Sequence, residues 1–282
     1  MKWIYLLARC AAYALLTAVA FLLLFQHRLL YFPRPYDKTA LWDLEKRKGR
    51  RITVQTSQGR QVAFYLPSVK AAEQAPEFLW MVFGGNGSLA LDYADEAMQW
   101  DSRFGYVFVD YPGYGDCEGT PNPDTLRESI VAMANAVKSE LHWTEAELQQ
   151  RAGVVGHSLG CAAALIAAEE MGLKRAVLCA PFTTMTEMAR RTVGWPLCFL
   201  NRHRYDNVGR LQSLVPKGLS VRIFHGQIDQ VIPIEMARSL AARWPASIRL
   251  TEVPDCDHNE VVIAASTEIG QAMRELAGLS GS

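Results

Sequence analysis

Ser158 sits in the pentapeptide Gly156-His157-Ser158-Leu159-Gly160, a G-x-S-x-G pattern. An apolar stretch precedes it (residues 153–156, GVVG) and an alanine-rich stretch follows (residues 161–170, CAAALIAAEE). That order predicts a strand, a sharp turn and a helix, the setting in which a serine hydroxyl is lifted above a sheet as a nucleophile. A glycine-flanked helix cap would explain the serine alone, but not its surroundings. A serine hydroxyl attacks a carbonyl only when a base takes its proton, so a histidine must reach it. Of six histidines, His157 points away because neighbours at a tight turn diverge. His27 belongs to the N-terminal apolar flank, and His142 and His203 fall at helix ends or in loops. His225 ends a strand, where it packs or hydrogen-bonds beside the site. His258 remains, in the loop PDCDHNE between the last strand and the last helix.

The base needs an acid to hold its tautomer and stabilise the imidazolium. Asp229, in HGQIDQVIP, follows a strand just as His258 does, and carboxyl ends of strands are where such sheets bind ligands. The order Ser158, Asp229, His258, with gaps of 71 and 29 residues, is the Ser…Asp…His order of one enzyme superfamily. Asp255 and Asp257 share the histidine's loop and read as loop-closing residues, with the acid role as their alternative. The oxyanion of a tetrahedral intermediate calls for two N–H donors. The backbone amide of Leu159 supplies one, and the loop Gly84-Gly85-Asn86-Gly87-Ser88 supplies the other through Asn86. This loop lacks both the P-loop lysine and the G-x-G-x-x-G spacing, so a phosphate cradle is disfavoured.

These residues need strands to present them. Residues 52–56 and 61–66 alternate around Ser57-Gln58-Gly59 as a hairpin. Short apolar runs follow at residues 78–83, 106–110, 153–156, 176–179, 221–224 and 248–253. Helical periods lie between them near 89–100, 124–141, 159–171, 183–191, 235–244 and 259–277. Unbroken apolar strands alternating with amphipathic helices predict a mostly parallel α/β sheet covered on both faces, opened by an antiparallel strand. The chain of 282 residues carries 29 basic and 29 acidic residues, so its formal charge is zero, which argues against a nucleic-acid surface. Six scattered cysteines form no C-x-x-C pair and no cluster with histidine, against a zinc ribbon or thioredoxin motif. Most read as buried small hydrophobes. Cys117 and Cys256 are placed near the rim of the site. No metal and no organic cofactor is implied.

Residues 3–25 are apolar but for Arg9 and Thr17, and as a helix they would span roughly 34 Å, enough for a hydrocarbon core. Trp3 and Tyr5 at one end, and Tyr31 and Phe32 past the other, match interfacial aromatic belts. A signal peptide cut after Ala20 is the alternative, disfavoured because apolar residues 21–24 continue the run. Basic residues flank both ends, so they assign no orientation. The expected organisation is a membrane anchor (1–32), a juxtamembrane linker (33–51) and one catalytic domain (52–282). The linker's basic run, residues 46–51 (KRKGRR), reads as a solvated loop, with anionic lipid as its alternative contact.

With those parts in order, the chain resembles the α/β-hydrolase superfamily. Within it, the chain is similar to a membrane-anchored branch of serine aminopeptidase-type (S33-like) hydrolases and depalmitoylases. The resemblance covers about residues 29–276 through QHRLLYFPRP, FGGNGS, DYPGYGDCEGTP, VGHSLG, APFTTMTEMA, FLNRHRYDN, FHGQIDQVIP and DCDHNE. It implies a triad of Ser158, Asp229 and His258 with Asn86 and Leu159 as the oxyanion hole. The expected activity is hydrolysis of a small or lipid-like ester, thioester or amide through an acyl-enzyme. An aminopeptidase-like peptidase and a non-catalytic membrane scaffold are the alternatives. Gly84 stands where many relatives carry a histidine that braces the oxyanion loop, which puts the loop's rigidity in question. Residues 110–115 are read as pocket wall. Residues 182–220 are too few for a large lid. Their apolar segment 195–200 covers an acyl pocket, faces lipid beside the anchor, or packs against the sheet.

Overall fold

The strands, in chain order, are β1 (Arg50–Thr56), β2 (Gly59–Leu66), β3 (Phe78–Phe83), β4 (Phe104–Val109), β5 (Ala152–His157), β6 (Arg175–Cys179), β7 (Ser220–Gly226) and β8 (Ile248–Val253). The computed structural model describes residues 1–69 and 75–279, so residues 70–74 and 280–282 of the expected catalytic segment lie outside it. The strands form one sheet in the order β1-β2-β4-β3-β5-β6-β7-β8. β1 and β2 pair antiparallel across the hairpin, with Thr56 opposite Gly59, and β2 is antiparallel to β4. Every pairing from β4 to β8 is parallel.

Sequence pattern explains this sheet. All six residues of β3 and all six of β4 are buried, as strands covered on both faces require. Along β3, Leu79, Met81 and Phe83 enter one core layer, while Phe78, Trp80 and Val82 enter the other. The first layer is closed by α4 (Pro123–Glu140) and α6 (Leu159–Met171), and the second by α3 (Ala94–Trp100) and α11 (Ser266–Ala277). The last predicted helix, 259–277, is divided: α10 (Val261–Ala264) ends at Ala265, whose φ of −101° and ψ of 17° leave helical geometry. Within residues 52–282, two further helices are not predicted, α5 (Glu145–Arg151) and α8 (Asn207–Leu214). Both are short and lack a long apolar period. α5 did carry a readable start, for Thr144 and Glu147 form a capping box.

α1 (Lys2–Leu30) has a mean hydropathy of 2.0 over its most apolar window and no buried residue, so it is long and apolar enough to cross a membrane. Only its last third turns toward the rest of the chain, where Val19, Leu22, Leu23, Gln26, His27 and Leu30 are partly covered at helical spacing. The segment read as a linker contains α2 (Lys38–Lys46), and Leu44 is buried against the second core layer. Nor is the basic run simply a solvated loop. Arg47 pairs with Asp95, Arg50 with Glu140 at 2.9 Å and Arg51 with Asp116 at 2.6 Å. These partners come from distant loops and helices, which the local charge pattern could not reveal.

Candidate active site

β5 ends at His157 and α6 begins at Leu159, so the whole turn falls on Ser158, with φ 55° and ψ −117°. That backbone region is strained for a side-chain-bearing residue and persists only where its surroundings enforce it. Close packing enforces it here. A Cβ on Gly156 would lie 2.3 Å from the Gly160 carbonyl oxygen, and one on Gly160 would lie 2.0 Å from that of Phe83. Two glycines thus let α6 descend onto β3 and β5, and Ser158 Oγ is raised at the sheet's carboxyl edge.

His258 and Asp229 arrive from the loops after β8 and β7. The His258 Nε2 atom lies 2.9 Å from Ser158 Oγ, and His258 Nδ1 lies 2.7 Å from Asp229 Oδ2. An ionised carboxylate only accepts, so Nδ1–H donates to Asp229 and Nε2 is left to accept the serine O–H. The other carboxylate oxygen, Oδ1, accepts the amides of Val231 and Ile232, each at 2.8 Å. Burial opposes ionisation of Asp229, but hydrogen bonds from His225, His258 and the Ile232 amide outweigh it and hold the carboxyl well below its usual range. His225 lies beside the site as the sequence suggested, with Nε2 2.8 Å from the Ile232 carbonyl oxygen and 3.2 Å from Asp229 Oδ2. Asp257 closes the histidine's loop by accepting the amides of Asn259 and Glu260.

His157 points away from Ser158 Oγ, as expected, yet it holds the site together, which sequence reasoning missed. Its Nε2–H donates to the His258 carbonyl at 2.9 Å, so Nδ1 accepts the Tyr93 hydroxyl at 2.9 Å. Burial, reinforced by the nearby His258, pushes its pKa down to about 4 and keeps the ring neutral.

The Asn86 loop follows β3 directly. Gly85 faces Ser158 closely enough that a Cβ there would come 3.7 Å from the serine's own. Without the bracing histidine, three tyrosines hold the loop. Tyr111 Oη donates to the Gly84 carbonyl at 2.5 Å, Tyr114 Oη donates to the Asn86 carbonyl at 2.5 Å, and Tyr93 Oη accepts the Gly85 amide at 3.2 Å. Tyr111 and Tyr114, read as pocket wall, are therefore loop supports. The end of α1 adds two bonds: Asn86 Nδ2 donates to the Leu30 carbonyl at 2.8 Å and the Phe32 amide donates to the Asn86 carbonyl at 3.0 Å.

The cysteines at the expected rim are not exposed there. Cys117 is buried with Sγ accepting the Val62 amide at 3.1 Å, and Cys256 is also buried. Among the described residues, all six cysteines are free thiols and only Cys10 is exposed. Residues 182–220 hold α7 (Met185–Val193) and a short 3-10 turn (Leu197–Leu200), which pack together as a small cap beside the end of α1, and α8, which packs beside α6 in the first core layer.

Residues 81–212 match the family model described as the alpha/beta hydrolase family. An uncharacterized protein of Mycobacterium tuberculosis, Rv2307c, is 26% identical over 237 residues, covering 83% of this chain and 81% of that protein. Among solved structures, the Pyrococcus furiosus esterase Pf2001 aligns with a TM-score of 0.65 at 14% identity, over 88% of this chain and all (100%) of that one. An alpha-beta hydrolase from Vibrio vulnificus aligns with a TM-score of 0.65 at 17% identity, over 87% of each chain. Sheet order, the turn at Ser158 and these likenesses agree: the chain has the α/β-hydrolase fold.

Proposed function

We propose that this chain is a serine hydrolase anchored in a membrane by α1, with Ser158 as nucleophile, His258 as general base and Asp229 as orienting acid. The observation that carries the reading is the unbroken hydrogen-bonded line from Ser158 Oγ through the His258 ring to Asp229, at 2.9 and 2.7 Å. His258 Nε2 takes the hydroxyl proton as Oγ bonds to the carbonyl carbon of an ester, thioester or amide. The carbonyl oxygen becomes an oxyanion, received by the amides of Leu159 and Asn86. The imidazolium then passes its proton to the leaving group, and the carbonyl re-forms as an acyl-enzyme. Water, deprotonated by the same nitrogen, attacks that acyl carbon and returns Ser158 with a free acid. Asp229, held ionised, steadies the imidazolium in both halves. The likeness to a protein described as an esterase favours esters over peptides as substrates.

A fluorophosphonate probe tests the reading. The full chain should be labelled covalently, and Ser158→Ala should remove both the label and ester turnover. Labelling that survives in Ser158→Ala would place the nucleophile elsewhere.

A further inference from the structure

A groove of ≈ 240 Å³ runs between α1 and the cap, with Leu22, Leu29 and Leu30 on one wall and Met188, Ala189 and Val193 of α7 on the other. We propose that this groove holds the acyl chain of a bilayer lipid ester and leads its carbonyl to Ser158; the assignment rests on the hydrolase reading above. One wall is the helix long and apolar enough to cross a membrane, and its residues up to Ala18 are all exposed. The groove therefore opens where α1 leaves the hydrocarbon. Trp195 and Phe199 of the cap are 73% and 58% exposed beside it, the residue types that settle at a membrane interface.

One residue of the groove's wall reaches the loop that carries the proposed oxyanion donor. Leu30 carries the carbonyl that accepts from Asn86 Nδ2, so the wall and the proposed oxyanion donor share one residue contact. The wall is fixed to the cap as well. Gln26 Oε1 accepts the Arg202 amide at 2.7 Å, and the hydroxyls of Tyr31 and Tyr205 are 2.8 Å apart. α7 matches this use in sequence: apolar residues at 185, 188, 189 and 193 face one way, while Glu187, Arg190 and Arg191 face the other. On this assignment an acyl chain enters sideways from lipid and runs along the groove past Leu30 toward the Asn86 loop. Each methylene that reaches the groove should raise kcat/KM about fourfold.

The full chain in phosphatidylcholine nanodiscs is assayed with p-nitrophenyl acetate, octanoate and dodecanoate, and photolysed with a dodecanoate ester bearing a terminal diazirine. The expected results are a kcat/KM that rises with chain length and crosslinks confined to residues 22–30, 185–193 and 197–201, the segments that line the groove. Met188→Trp and Val193→Trp, each filling the groove from α7, should lower the dodecanoate-to-acetate ratio at least about tenfold, as several lost methylene contacts imply. An unchanged ratio in both variants, or crosslinks elsewhere, would overturn the groove while acetate turnover and Ser158 labelling leave the hydrolase reading standing. Absence of acetate turnover and of Ser158 labelling in the unaltered chain would overturn the hydrolase reading itself, and the acyl-substrate assignment with it.

Discussion

At Ser158 a hydroxyl, an imidazole and a carboxylate meet on a backbone that favours no side chain, and the strain is sustained by Gly156 and Gly160 beneath it. Ser158→Ala should lower kcat by on the order of 10⁴ to 10⁶ with the thermal midpoint little changed, because its Cβ already fits. Asp229→Asn should lower kcat by about 10⁴, since the amide can bond the wrong histidine tautomer. Steady-state kinetics beside circular dichroism separates both outcomes from misfolding. His157 makes a separable pH prediction. Its folded pKa of about 4 lies below the unfolded value of 6.5, so the unfolded chain binds the proton first on acidification. The stability this ring contributes is complete above pH 6.5 and is lost as pH falls through about 4. Denaturant unfolding between those limits should show that slope in the natural chain and a shallower one in His157→Gln. Equal slopes would mean the ring takes up its proton without cost.

The elements divide their labour. β3, β5, β7 and β8 each end in a loop that carries one part of the site, and the β4 loop supports the β3 loop through Tyr111 and Tyr114. Tyr111→Phe removes the bond to the Gly84 carbonyl but keeps the ring. It should reduce kcat about tenfold, the worth of one hydrogen bond to a positioned loop, with KM nearly unchanged. A kcat equal to that of the natural chain would show that the loop is held without this hydroxyl. β3 has the predicted limits because burial on both faces makes its run uniformly apolar, and β8, a partly exposed edge strand, has them because Ile248, Leu250 and Val253 mark it within polar surroundings. α8 is not legible in the sequence because its eight residues include Asn207 and Gly209, and its stability comes from packing and from Asp206 capping Gly209.

Across the whole molecule, the N-terminal segment belongs to the site it precedes. Tyr31 is 2% exposed, and Leu30 and Phe32 bond the Asn86 loop. A chain beginning at Arg34 loses those contacts, whereas one beginning at Val19 keeps every inward-facing residue of α1. In detergent with a short ester, the shorter chain should turn over at least about tenfold more slowly and melt roughly 5–15 °C lower, as loss of a buried aromatic implies. Equal rates and midpoints would show that the segment only tethers.

Sequence alone determined the succession of strands, most of the helices between them, the turn at Ser158 and the order of the three candidate residues, because each rests on local pattern: apolar runs, glycine at a tight turn, loops at strand ends. It could not determine what braces the Asn86 loop, that His157 holds the His258 backbone, that Arg47, Arg50 and Arg51 are ion-paired to the body, or that α1 and α7 enclose a groove. Those contacts join residues far apart along the chain, and their partners are chosen by how the layers pack rather than by any spacing between neighbours.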